Sequence, residues 1–128
     1  DLKPSNIFLS VEKQKLKVKI GDFAPHKLDQ CFSTVCGTPV FAPPEFFNVC
    51  KQPYDVHQEV WALGICVYYV FSYVYPFMAS NMDEFQEVLQ EMDYLKLEDL
   101  KIQKVFQGLC KYVPEQRKSA QWVVDMLG

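Results

Sequence analysis

The sequence predicts an α+β chain, mostly α, with a small β-hairpin, a long irregular segment and a helical bundle around one buried helix. Three observations carry this. Leu16, Val18 and Ile20 alternate with Lys17 and Lys19, and an apolar run, Ile7, Phe8 and Leu9, precedes them. Between residues 22 and 54, Pro25, Gly37, Pro39, Pro43, Pro44 and Pro53 break every candidate element. Residues 60–79 are twenty consecutive positions without a charge.

The alternation predicts a half-buried strand with one wet face, and the two apolar runs pair as a hairpin. Gly21 ends it. The irregular segment is too long to be a mere connection, and such loops are usually functional. The uncharged run predicts a helix over residues 56–75, stopped by Pro76 and buried all round. A membrane span is the competing reading of that run. Gly64, Ser72, Pro76, four tyrosines and the lack of a basic flank speak against it. Met82, Phe85, Val88, Leu89 and Met92 mark one face of an amphipathic helix. Leu100, Val105, Leu109 and Tyr112 mark another before Pro114, and Ser119 can cap a last helix carrying Trp122, Val123 and Met126.

The 128 residues are 49% hydrophobic and 23% charged, which excludes disordered and collagen-like classes and leaves room for one domain. A formal net charge of -3 gives no electrostatic reason to expect a nucleic-acid partner. The five cysteines form no C-x-x-C pair, and His26 and His57 complete no zinc set. Scattered thiols predict a reduced, intracellular, cytoplasmic chain. With no signal peptide and Asp rather than Met at position 1, the chain is expected to begin inside something larger. Lys13, Lys15, Lys17 and Lys19 read as a solvated strand face.

Asp1-Leu2-Lys3-Pro4-Ser5-Asn6 places a carboxylate, an amide and a cation on one turn, and Pro4 fixes its backbone. Gly21-Asp22-Phe23 puts a second carboxylate just past the strand. Oxygen donors from Asn6 and Asp22 suit Mg²⁺, which takes few protein ligands. Asp1 is then a candidate general base and Lys3 a point charge for a phosphate, a minimal kit for phosphoryl transfer. Any one of these residues alone reads as a polar turn or a strand-end Asp; the joint pattern carries the weight.

DLKPSN, the strand KVKI running into GDF, CGTPVFAPPE, EVWALG and the late PEQR resemble, in order, the C-terminal lobe of eukaryotic serine/threonine protein kinases. The resemblance covers residues 1–128 and implies a partial kinase domain without its N-terminal lobe. Lys3 and Thr38 resemble the serine/threonine branch. The resemblance implies that Asp1 orients the substrate hydroxyl and accepts its proton. Lys3 neutralises the transferring phosphate, Asn6 holds one Mg²⁺, and Asp22 holds the Mg²⁺ bridging the phosphates of ATP. Residues 22–45 become the activation segment, with Ser33 and Thr34 as candidate phosphosites and Thr38 lining the substrate groove. Glu45 and Arg117 are implied to form a structural ion pair. A protein substrate and the N-terminal lobe of the parent chain are the implied partners, with no nucleic acid and no membrane.

Three positions depart from the family pattern. Ala24 stands where the family has the glycine of its D-F-G motif, Pro43 replaces an alanine, and Glu59 replaces an aspartate. None removes a catalytic group. The glycine-rich loop, the strand lysine and the helix glutamate of the family lie outside this chain, so the fragment alone is expected to be inactive. The alternatives are a pseudokinase scaffold and a stand-alone helical interaction module.

Overall fold

The computed structural model describes residues 2–21, 39–48 and 55–128. Pro4–Asn6 form a single 3₁₀ turn, with Pro4 at its first position, where a missing N–H costs nothing. The chain then runs into strand β1 (Ile7–Glu12), paired antiparallel with β2 (Lys15–Ile20) from Ile7 opposite Ile20 to Glu12 opposite Lys15. Lys13 and Gln14 close the hairpin at φ 49° and 62°. That is the double left-handed geometry a two-residue turn needs to match strand twist.

Side chains alternate across the pleat, so Ile7, Leu9, Val11, Leu16, Val18 and Ile20 share one face. Lys15, Lys17 and Lys19 share the other with Phe8, Ser10 and Glu12. The expected half-burial is not found: the apolar face is open, from 53% exposure at Ile20 to 74% at Val11. Of the residues around the sheet, Leu2 and Ile7, at the base of the hairpin, pack against the core.

Part of the segment expected to be irregular is ordered and deep. Pro39 to Glu45 are all buried, and Pro44–Phe47 form a 3₁₀ helix. Phe41 meets the ring of Tyr75 edge-on at 5.4 Å, and Phe47 meets Phe85 at 6.0 Å.

Helix α1 (Val56–Ser72) starts at Asp55, whose carboxylate accepts the His57 N–H at 2.9 Å. It stops three residues short of the expected end. Pro76 has no N–H to offer the Ser72 carbonyl and disfavours helical backbone at Tyr75, while the Ser72 hydroxyl bonds back to the Tyr68 carbonyl at 2.8 Å. Tyr73 closes the helix in the left-handed region at φ 61°. Nor is α1 buried all round. Val60, Trp61, Ile65 and Tyr68 face the core, whereas Val70 and Phe71 are more than half exposed, since α3 (Leu100–Leu109) covers one flank only. The two helices approach closely at Gly64, where a Cβ would stand 2.4 Å from Cys110 Sγ and 3.0 Å from Leu109 Cβ.

Helix α2 (Met82–Glu91) is capped by Asn81, which accepts from Glu84 N–H at 2.9 Å, and buries Phe85 and Leu89. Helix α3 ends at Leu109, leaving Tyr112 half-exposed. Ser119 caps α4 (Ala120–Leu127) by accepting the Trp122 N–H, and the half-buried Trp122 ring lies over Gly108. The core joins Trp61, Tyr68, Phe77, Tyr94 and Phe106 by ring contacts, including Trp61 stacked on Phe77 at 5.5 Å. Among the described residues no helix is long and apolar enough to cross a membrane.

Candidate active site

The turn that carries Lys3 and Asn6 is held from three sides. Its own backbone closes through the Asn6 N–H, which donates to the Lys3 carbonyl at 2.9 Å. Leu2 and Ile7 bracket it and pack into the core. The Asn6 carbonyl accepts from the Gly21 N–H, also at 2.9 Å. That last bond fixes the DLKPSN turn beside the end of β2, one residue before Asp22. Asn6 is buried at 5% exposure and Lys3 is half-buried. At Gly21 a Cβ would come within 2.6 Å of the Phe8 ring, so that exposed ring would have to shift to admit a side chain.

Of the residues singled out from sequence, the structure thus brings together Lys3, Asn6 and the backbone leading to Asp22. Asp1, Asp22, Ala24, Ser33, Thr34 and Thr38 lie outside the described residues. Among the described residues no cluster of three or more His, Cys, Asp or Glu could hold a metal by itself. Cys66 and Cys110 are buried free thiols. Burial, with the charge of Glu59 adding to it, pushes the Cys66 thiol up to about 12, and burial raises that of Cys110 as well. Both stay protonated and unreactive at neutral pH.

Glu45 and Arg117 meet in a second constellation, away from the turn. Arg117 Nη1 and Nη2 donate to Glu45 Oε1 and Oε2, each at 2.7 Å, a two-pronged contact whose side chains are 0% and 7% exposed. Two further guanidinium donors are also used. Nε donates to the Lys111 carbonyl at 2.9 Å and Nη1 to the His57 carbonyl at 2.8 Å. The guanidinium carbon lies 4.9 Å from the centre of the Trp61 ring. One side chain therefore ties together the Pro44–Phe47 turn, the first turn of α1 and the α3–α4 connection. The carbonyl acceptors and the Trp61 contact went unread in the sequence, because backbone oxygens leave no compositional trace.

A family profile described as the protein kinase domain matches residues 1–126. The chain is 34% identical over 100 residues to a mouse (Mus musculus) protein named inactive serine/threonine-protein kinase PLK5, covering 75% of this chain and 16% of that protein. It is 32% identical over 97 residues to myosin light chain kinase A of Dictyostelium discoideum, covering 73% of this chain and 32% of the relative. Sperm motility kinase Z of Mus musculus is 37% identical over 109 residues, 79% of this chain and 21% of its own length. The chain spans less than half the length of each of these relatives. With the profile matched almost end to end, on a mostly helical fold with one small two-stranded sheet, the chain belongs to the protein kinase domain family.

Proposed function

We propose that this chain is the C-terminal lobe of a serine/threonine protein kinase, and that its complete parent transfers the γ-phosphoryl group of ATP to a protein hydroxyl. The observation that carries the reading is the 2.9 Å bond from Gly21 N–H to the Asn6 carbonyl, which holds the DLKPSN turn against the strand leading into Asp22. Asp1 is assigned as the residue that orients the substrate hydroxyl and takes its proton, and Lys3 as the cation facing the transferring phosphate. Residues 22–45 are assigned as the activation segment, with Ser33 and Thr34 as its phosphosites and Thr38 in the substrate groove.

A buried amide and a carboxylate one residue past Gly21 are hard oxygen donors, and two such ligands suffice for Mg²⁺, which keeps most of its waters. Asn6 and Asp22 would hold the ion, whose positive charge would draw electron density from the phosphates. The protein's own part is positional: the anchored turn presents Lys3 and Asn6 at fixed separation, and the Glu45–Arg117 pair holds the far end of the activation segment against α1. In the parent, the N-terminal lobe would cover the apolar face of the hairpin.

Radiolabel transfer from ATP by the full-length parent tests this reading. Transfer lost on Asp1→Asn is the expected result, with the 128-residue chain alone inactive; transfer by the isolated chain, or by the Asp1→Asn parent, would overturn it. A second reading, a pseudokinase scaffold, is favoured by Ala24 in the D-F-G motif and by the name of the mouse relative. A parent that folds but transfers no phosphate would establish that reading instead.

A further inference from the structure

On the side of the molecule formed by the end of α1, α2 and the α2–α3 connection lies a hollow of about 310 Å³. Its described lining is largely apolar: Val74, Met78, Val88 and Leu95, with Tyr75 and Tyr94. Its walls are fixed in advance. Tyr68 donates its hydroxyl hydrogen to the Leu95 carbonyl at 2.6 Å, securing the connection to α1. Gln103 Nε2 donates to the Tyr94 hydroxyl at 2.9 Å, and Gln103 Oε1 accepts the Leu97 N–H at 2.8 Å, securing it to α3. Yet Val74, Met78 and Leu95 are 52%, 44% and 80% exposed. Apolar side chains gathered around one preformed hollow, rather than scattered singly, mark an interaction surface.

Charge selects the occupant. Asp93 is the sole charged residue of the described lining. On α2, Glu84 and Glu91 stand four residues before and three after Val88, on the same helical face. Glu84 is engaged by the Ser80 N–H at 2.8 Å. Residues 81–99 hold seven carboxylates and one lysine, Lys96, in a chain whose net charge is only -3. An apolar hollow with an acidic rim fits side chains that combine an apolar stem with a cationic head. Arginine suits it best, because its flat guanidinium can also lie against tyrosine rings.

We propose that this hollow docks a partner protein through a basic segment in which arginine alternates with aliphatic residues. The carboxylates steer and orient that segment, and the hollow takes the aliphatic side chains. The surface lies outside the phosphoryl-transfer residues, so docking needs no activity.

Fluorescence anisotropy with a labelled synthetic hexapeptide of alternating leucine and arginine tests it. Saturable binding is expected with Kd near or below about 100 μM. Raising salt from about 0.05 to 0.3 M should weaken it several-fold, because the Debye length shrinks. Asp93→Lys and Leu95→Ser should each weaken it roughly three- to tenfold, by losing charge complementarity or apolar contact. Both positions are exposed, and an unchanged Tm shows that the fold is intact. Equal binding of a leucine–glutamate peptide, no saturation, or an unchanged Kd in both variants would overturn the proposal. So would self-association of the chain that Asp93→Lys abolishes, which would give the hollow to a second copy.

Discussion

The surroundings of Arg117 and the hairpin with its DLKPSN turn are built on opposite physical terms. Around Arg117 all three guanidinium nitrogens donate, both charges are desolvated, and Trp61 and the backbone of α1 close over the pair. The hairpin has regular pairing but an open apolar face and a single foothold, Leu2 and Ile7, in the core. Stability is therefore concentrated at residues with no proposed contact to substrate, while the proposed chemistry sits on an element contributing little to it. Substitutions should separate cleanly into those that unfold the chain and those that spare the fold.

The largest effect is expected at Arg117. Arg117→Ala leaves Glu45 buried without its counter-charge and costs roughly 3–5 kcal/mol, a large share of a domain's stability. Arg117→Lys should not rescue it, since an ammonium cannot span both carboxylate oxygens and two carbonyls. Urea denaturation of both variants measures this; midpoints equal to wild type would break the comparison on its stable side.

Gly64 tests the same region by packing. Gly64→Ala should cost about 1–3 kcal/mol despite alanine's better helix propensity, because the new methyl meets Cys110 Sγ at 2.4 Å. Cys110→Ala in the same chain should restore part of the loss, which a thermal melt of the double variant reads directly.

On the hairpin the expected changes are small. Leu9→Ser and Val18→Ser, on the open face, should shift stability by no more than about 0.5 kcal/mol. Gln14→Gly relieves a left-handed position and should stabilise the turn by up to about 1 kcal/mol. That gain should appear as slower amide exchange in β1 and β2, with the global midpoint unchanged. A raised global midpoint would mean that the hairpin unfolds with the core and would erase the distinction.

This division was only partly visible in the sequence. The alternation of Leu16, Val18 and Ile20 reads directly as a strand, and Ser119 sits where a helix cap belongs. Alternation reports that a strand has two faces, not what covers either, so the open face of the hairpin could not be read from it. The burial of residues 39–45 was hidden because Pro39, Pro43 and Pro44 break any period, although Val40, Phe41 and Ala42 between them are apolar. The early end of α1 depends on where Pro76 and the Ser72 hydroxyl act, which periodicity does not resolve. The Glu45–Arg117 pair was legible through motifs, because side-chain chemistry is written in residue type, and the roles proposed for Lys3 and Asn6 rest on motifs in the same way. The bond from Gly21 to Asn6 is made by backbone atoms that every residue shares.

The central claim, that the proposed chemistry and the stability reside in different parts of this chain, is tested most directly by Asp22→Asn in the proposed full-length parent, assayed for transfer and melting together. The account predicts that phosphoryl transfer falls by about a hundredfold or more, on the scale of losing one electrostatic stabiliser, while Tm stays at the wild-type value. Retained transfer, or a loss of transfer accompanied by a fall in Tm like that of Arg117→Ala, would contradict it.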